Sequence, residues 1–124
     1  MRTVPEIIKN LIIINLIFFI GTLVIGNVAY DILALHYPKN PSFGYWQLLT
    51  HMFMHGGIYH ILFNMFGLWM FGSPLVQMWG RNKFLFYYIS CGIGAALLQL
   101  LFYYFQINAV VDNLLSQGFL IDEI

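Results

Sequence analysis

The chain has 124 residues, 60% hydrophobic and only 8% charged, and its five basic and five acidic side chains cancel to no net charge. A water-soluble domain carries roughly 25% charged residues, so this chain lacks the polar groups to cover a solvated surface, and its natural solvent is the bilayer. No basic run marks a nucleic-acid face, and the lone cysteine, Cys91, excludes an internal disulfide.

A helix crossing the hydrocarbon core needs ~20 mostly apolar residues, and three runs qualify. The first is Leu11 to Ala29, interrupted by Asn15, Thr22 and Asn27, and predicts helix 1 over about 7–29. Arg2 and Lys9 precede it as they would a signal peptide, but the run is too long for an h-region and no small-x-small site closes it. Residues 30–57 follow as a long loop with Pro38 and Pro41 as breakers. Tyr37, Phe43, Tyr45 and Trp46 with few charges place that loop in the membrane interface. Ile58 to Trp79 predicts helix 2, with a Gly72-Ser73-Pro74 break near its end, and Phe84 to Phe105 predicts helix 3. Residues 106–124 are too short and polar to span; they suit an amphipathic tail helix stopping near Gly118. With the N-terminus inside, Arg2, Lys9, Arg81 and Lys83 fall on the cytoplasmic side and only Lys39 outside, as the positive-inside rule asks. The expectation is an all-α, multi-pass protein of the cell (inner) membrane with a cytoplasmic N-terminus and the lipid bilayer as its surroundings.

The second run carries the chemistry, in the stretch HMFMHGGIYHILFNM from His51 to Met65. His60 and Asn64 are four apart and share one helix face, which Gly67 continues a turn later, while Phe63, Phe66 and Trp69 fall elsewhere. Both side chains carry N–H donors, and two fixed donors in a water-poor site are what a developing negative oxygen needs. Two plainer readings stand beside this one. Such residues often only hydrogen-bond to a neighbouring helix, at ~0.6 kcal/mol each. His51, His55 and His60 could also approach one metal ion, although Gly56-Gly57 interrupts the helix between them and no carboxylate or thiol lies nearby. Nothing in the sequence calls for a cofactor.

Taken together, Trp46-Gln-Leu-Leu-Thr-His51, Phe53-Met-His55 and His60-Ile-Leu-Phe-Asn64, followed by Gly72, Gly80-Arg81, Phe84, Tyr87 and the small-residue patch Ser90 to Ala96, resemble the rhomboid intramembrane serine proteases. The resemblance runs from the first loop through the third helix of a six-helix bundle. It implies cleavage of transmembrane protein substrates by a serine–histidine dyad, the serine in a Gly-x-Ser-Gly motif on a fourth helix and the base on a sixth. It also implies that His60 and Asn64 stabilise the oxyanion, and that His51 and His55 are structural residues of the first loop that retain water near the site. Three departures stand out. Ser42, Ser73, Ser90 and Ser116 all lie outside any Gly-x-Ser-Gly, and no histidine follows His60. Gln47 stands where the family often has arginine, and Val76 where it often has glutamate. The expectation is therefore the N-terminal part of such a protease, inactive alone. The alternative is a non-catalytic rhomboid-like protein that binds transmembrane segments.

Overall fold

A computed structural model describes residues 4–123. Among the described residues every regular element is helical. Helix α1, Glu6–Ile25, starts behind Pro5 with an acidic residue in its first turn, where the helix dipole favours negative charge. Gly26 breaks the chain, and α2, Asn27–Leu33, continues it for two turns. Residues 34–57 hold one further turn of helix, α3, Gln47–Thr50, and a tight turn at His51–Phe53. Helix α4, Ile58–Gly67, passes through a π turn at Leu68–Gly72 into α5, Ser73–Trp79. The last long element is α6, Arg81–Ser116.

Three of these segments are long and apolar enough to cross a membrane: Glu6–Ile25, Ile58–Trp79 and Arg81–Ser116. The protein is a multi-pass, all-α membrane protein. The Gly72-Ser73-Pro74 sequence does not end the second span. Proline has no N–H to give the preceding turn, and the ladder absorbs the loss by widening into the π turn just before it. The second and third spans are joined through Gly80 alone. Its φ of 84° reverses the chain in one residue, its N–H bonds to the Val76 carbonyl at 2.8 Å, and its own carbonyl accepts from Phe84 at 3.1 Å. A side chain at that φ would be strained.

The predicted third helix and tail form one element. α6 runs 36 residues, about 54 Å, well beyond the hydrocarbon core. Hydropathy falls after Phe105, but no glycine or proline occurs between Gly94 and Gly118 to stop the helix there. It ends in a Schellman motif: Gly118 takes φ 97°, Phe119 N–H reaches the Leu114 carbonyl at 3.2 Å, and Gly118 N–H the Leu115 carbonyl at 3.1 Å.

The three spans converge at the end of the bundle that holds Glu6, Trp79 and Arg81. There Ile7, Ile8, Leu11 and Phe84 are buried together, flanked by Leu68, Leu75 and Val76. Gly72 lets the backbones close up, since a methyl group there would come within 2.9 Å of Ile8 Cδ1. The opposite end is wedged apart by residues 34–57, which penetrate deeper than an interfacial loop. Phe53 stacks on Phe18 of α1, with ring centroids 5.2 Å apart, and His51 Nε2 donates to the Gly92 carbonyl of α6 at 3.0 Å. Phe18 lies about 10 Å below the Ile25 end of its helix, so the turn at His51–Phe53 sits inside the bundle.

Irregular backbone at that depth persists only where its polar groups are satisfied by protein. Here side chains do it. Of the last four carbonyls of α2 only Tyr30 has a backbone partner, the Ala34 N–H at 3.0 Å, and each of the four accepts a side-chain donor. His36 Nε2 serves Asp31 at 3.0 Å and Tyr30 at 3.4 Å. Trp46 Nε1 and Gln47 Nε2 share Ile32 at 2.6 and 3.1 Å, and Thr50 Oγ1 takes Leu33 at 2.7 Å. Gln47, fully buried, also donates to the Ser42 carbonyl at 2.7 Å and accepts from the His36 N–H at 3.1 Å. A neutral amide can do both at once. The arginine that the resemblance expects here has donors only.

Candidate functional site

The polar residues of the second span meet at the loop end of α4. Gly57 is extended, with φ −171° and ψ 169°, so the chain turns sharply between His55 and Ile58 and folds His55 back onto the helix. His55 is 1% exposed, and its Nε2 lies 2.9 Å from Asn64 Nδ2. The His60 ring packs edge-on against it, with centroids 5.2 Å apart. The structure thus gathers His60 and Asn64 around a third residue, His55, and the partner of the Asn64 amide is the first loop, not another helix. The diglycine turn is the reason: it brings residue 55 beside residue 64 at short range.

An amide nitrogen only donates, so the His55 Nε2 that faces it is the unprotonated acceptor. Burial, and next the neighbouring His60, hold the His55 imidazole below its usual titration range, against a smaller upward pull from the Phe53 backbone. A neutral His55 with its proton on Nδ1 fits both facts. Tyr30 secures the segment by donating its hydroxyl to the His55 carbonyl at 3.0 Å. Asn64 therefore spends one N–H on His55. Its second N–H and its Oδ1 have no partner among the described residues, and neither ring nitrogen of His60 has one. These exposed groups are the ones available to a ligand.

The remaining candidates fall into place around them. His51 anchors the turn to α6 through Gly92, where a side chain would collide with Met52. Gly67 meets no neighbour within 4 Å of where a side chain would start, so the close helix contact expected there is not made. Val76 packs against the apolar cluster at the far end of the bundle. No group of three or more metal-ligating side chains forms among the described residues. Of the serines, Ser116 donates to the Asn113 carbonyl at 2.6 Å within its own helix, and Ser73 Oγ is buried without a partner.

Two roles are not evident from the sequence. His55 is expected as a structural residue of the first loop, and its contact with Asn64 is the new element; its spacing of nine from Asn64 across a diglycine is the usable signal. Asn15 looked like a mere interruption of the first span, yet it is 0% exposed and lines a cleft between α1, α4 and α6 together with Asn64 and Tyr88.

The Rhomboid domain family matches residues 42–110, more than half of the chain, including His51, His55, His60 and Asn64. The chain belongs to the rhomboid family. It is similar to the rhomboid protease GluP of Bacillus subtilis, 36% identical over 58 residues that make up 47% of this chain and 11% of that protein. It is 39% identical over 57 residues to the mitochondrial RHOMBOID-like protein 6 of Arabidopsis thaliana, covering 46% of this chain and 19% of the relative. To the rhomboid protease GlpG of an Enterobacter species it is 35% identical over 65 residues, 48% of this chain and 24% of the relative. The rhomboid segment thus spans a quarter or less of each relative's length. No solved structure matches the chain.

Proposed function

We propose that this rhomboid chain supplies the oxyanion side of an intramembrane serine endopeptidase acting on transmembrane protein substrates, with the N-terminus cytoplasmic in the cell (inner) membrane. His60 and Asn64 are the donors. One observation supports the reading: Asn64 is held at 2.9 Å by a buried His55, while its second N–H and the His60 ring nitrogens make no hydrogen bond among the described residues. Donors fixed in advance, and not spent on the protein, are what an acyl-transfer site needs. The nucleophile and base are contributions from outside these 124 residues, since none of the four serines sits in Gly-x-Ser-Gly and no histidine follows His60. That same fact favours a second reading, a rhomboid-like protein that binds transmembrane segments without cutting them.

The deciding measurement is the intact mass of the native membrane product, followed by cleavage of a fluorescent transmembrane substrate. A product carrying the serine and histidine helices cleaves, and His60→Ala or Asn64→Ala each lowers kcat roughly a hundredfold, or about 3 kcal/mol of barrier. The 124-residue chain by itself leaves the substrate uncut. Unchanged kcat in both variants of a cleaving product removes the oxyanion assignment, and a native product that binds but never cleaves selects the second reading.

A further inference from the structure

The first loop and α6 enclose a second cleft, about 220 Å³, lined by Leu35, His36, Tyr37, Asn40, Tyr103 and Ile107. Its height along the bundle is definite. Tyr103 and Ile107 stand about 33 and 39 Å along α6 from Arg81, beyond a hydrocarbon core of about 30 Å. With Arg81 and Lys83 at one membrane surface, the cleft falls among the headgroups of the opposite leaflet, at the level where tyrosines concentrate. A tight turn forms its loop wall. Pro38 and Lys39 occupy the corner, and the Asn40 N–H donates to the Tyr37 carbonyl at 2.8 Å.

The polar groups left free there are mainly donors. Asn40 Oδ1 is spent on the Ser42 N–H at 2.8 Å, so its Nδ2 remains. The Tyr37 and Tyr103 hydroxyls have no partner among the described residues, and Lys39, at the corner of the turn, makes no ion pair among them. His36 Nε2 is already committed to the Asp31 carbonyl at 3.0 Å. The acidic groups stand away: Asp31 is exposed and lines no part of the cleft, and Asp112 is nine positions from Tyr103, on the opposite side of α6.

We propose that this cleft binds the phosphate of a membrane phospholipid through Asn40 Nδ2 and the Tyr37 and Tyr103 hydroxyls, with Lys39 at its rim. Hydrogen bonds to an ionised phosphate are about twice as strong as neutral ones, and the group consists of the acceptors that these donors lack. Leu35 and Ile107 give the cleft an apolar side that suits the glycerol of a lipid and is of no use to a free phosphate. The bound headgroup ties the turn at Tyr37–Asn40 to α6, adding a joint to the one that His51 makes with Gly92. This holds for a protease and for a protein that only binds transmembrane segments.

The test is nitrogen–phosphorus dipolar dephasing by solid-state NMR on the whole protein, in vesicles of phosphatidylethanolamine and phosphatidylglycerol with phosphate-free buffer. The Asn40 side-chain nitrogen is expected to dephase several-fold more than that of Asn113, about 15 Å farther along α6 than Tyr103. Asn40→Asp keeps the acceptor for Ser42 and replaces the donor by a like charge; dephasing at Lys39 Nζ should then fall several-fold, with the His51 signals unchanged as a check on the fold. If that variant does not fold, Tyr103→Phe, read at Asn40, takes its place with the same expected direction. Dephasing at Asn40 no greater than at Asn113 overturns the proposal, as does an unchanged signal in the folded variant. Equal dephasing from inorganic phosphate in a phosphorus-free detergent makes the cleft a free-anion site and overturns the lipid as its occupant.

Discussion

The two ends of the bundle are held by different forces. At the end that contains Glu6 and Arg81, Ile7, Ile8, Leu11 and Phe84 pack against one another as an apolar cluster. At the other end a loop with little regular structure is sewn to α2 through His36, Trp46, Gln47 and Thr50. In water the first would dominate. In lipid, apolar contact between helices gains nothing from leaving the solvent and only tight fit remains, while an unmet carbonyl has no water to turn to. The polar stitching is therefore the stiffer of the two, although it looks like the looser part of the chain.

The sharpest way to break that comparison is to cut each end once. Gln47→Leu removes three hydrogen bonds, strands the His36 N–H, and should cost about 3 kcal/mol. Ile8→Ala loses packing but little transfer energy in a membrane, so about 2 kcal/mol is expected. Unfolding both variants in mixed micelles gives the order; a larger loss for Ile8→Ala would reverse the argument. Gly92→Val pushes a side chain into Met52 and should cost about 1–2 kcal/mol, with the loop rather than the apolar cluster losing hydrogen-exchange protection.

Acid addresses the stitched end alone. His55 titrates below its usual value in the folded protein, so the unfolded chain binds the extra proton first. Its contribution is complete above about pH 6.5 and is lost as the pH falls from there toward the folded value, below which the loss levels off. The thermal midpoint should drop between pH 7.5 and 5, and His55→Gln should flatten the difference. A drop that survives in His55→Gln assigns the effect to another group. The smallest effect belongs to Thr50→Val, which gives up one bond to the Leu33 carbonyl for about 0.6 kcal/mol.

What could be read in advance divides along the same lines. Hydrophobic length fixed the spans, and the spacing of four placed His60 and Asn64 on one face of α4, because both depend only on local geometry. The sequence divides α6 at Phe105 because hydropathy reports the solvent and not the helix: the backbone runs unbroken through Asn108 and Asp112 into the expected tail helix. The depth of the loop was invisible because it depends on Met52 finding the space over Gly92 and on Phe53 finding Phe18, contacts far apart in the chain. Gln47 drew attention as a departure from the family, yet its role required knowing that a donor and an acceptor were wanted at one point.

The single-residue joint at Gly80 gives α6 a mechanical character. A straight helix pivoting there carries Gly92 about 16 Å from the pivot and Ser116 about 52 Å, a lever ratio near one to three. A tilt of about 20° swings the far tip sideways by about 18 Å, and the same swing shifts the His51 anchor by about a third as much. Any change in the tilt of α6 is therefore passed through Gly92 to the turn that supports His55 and, through it, to Asn64.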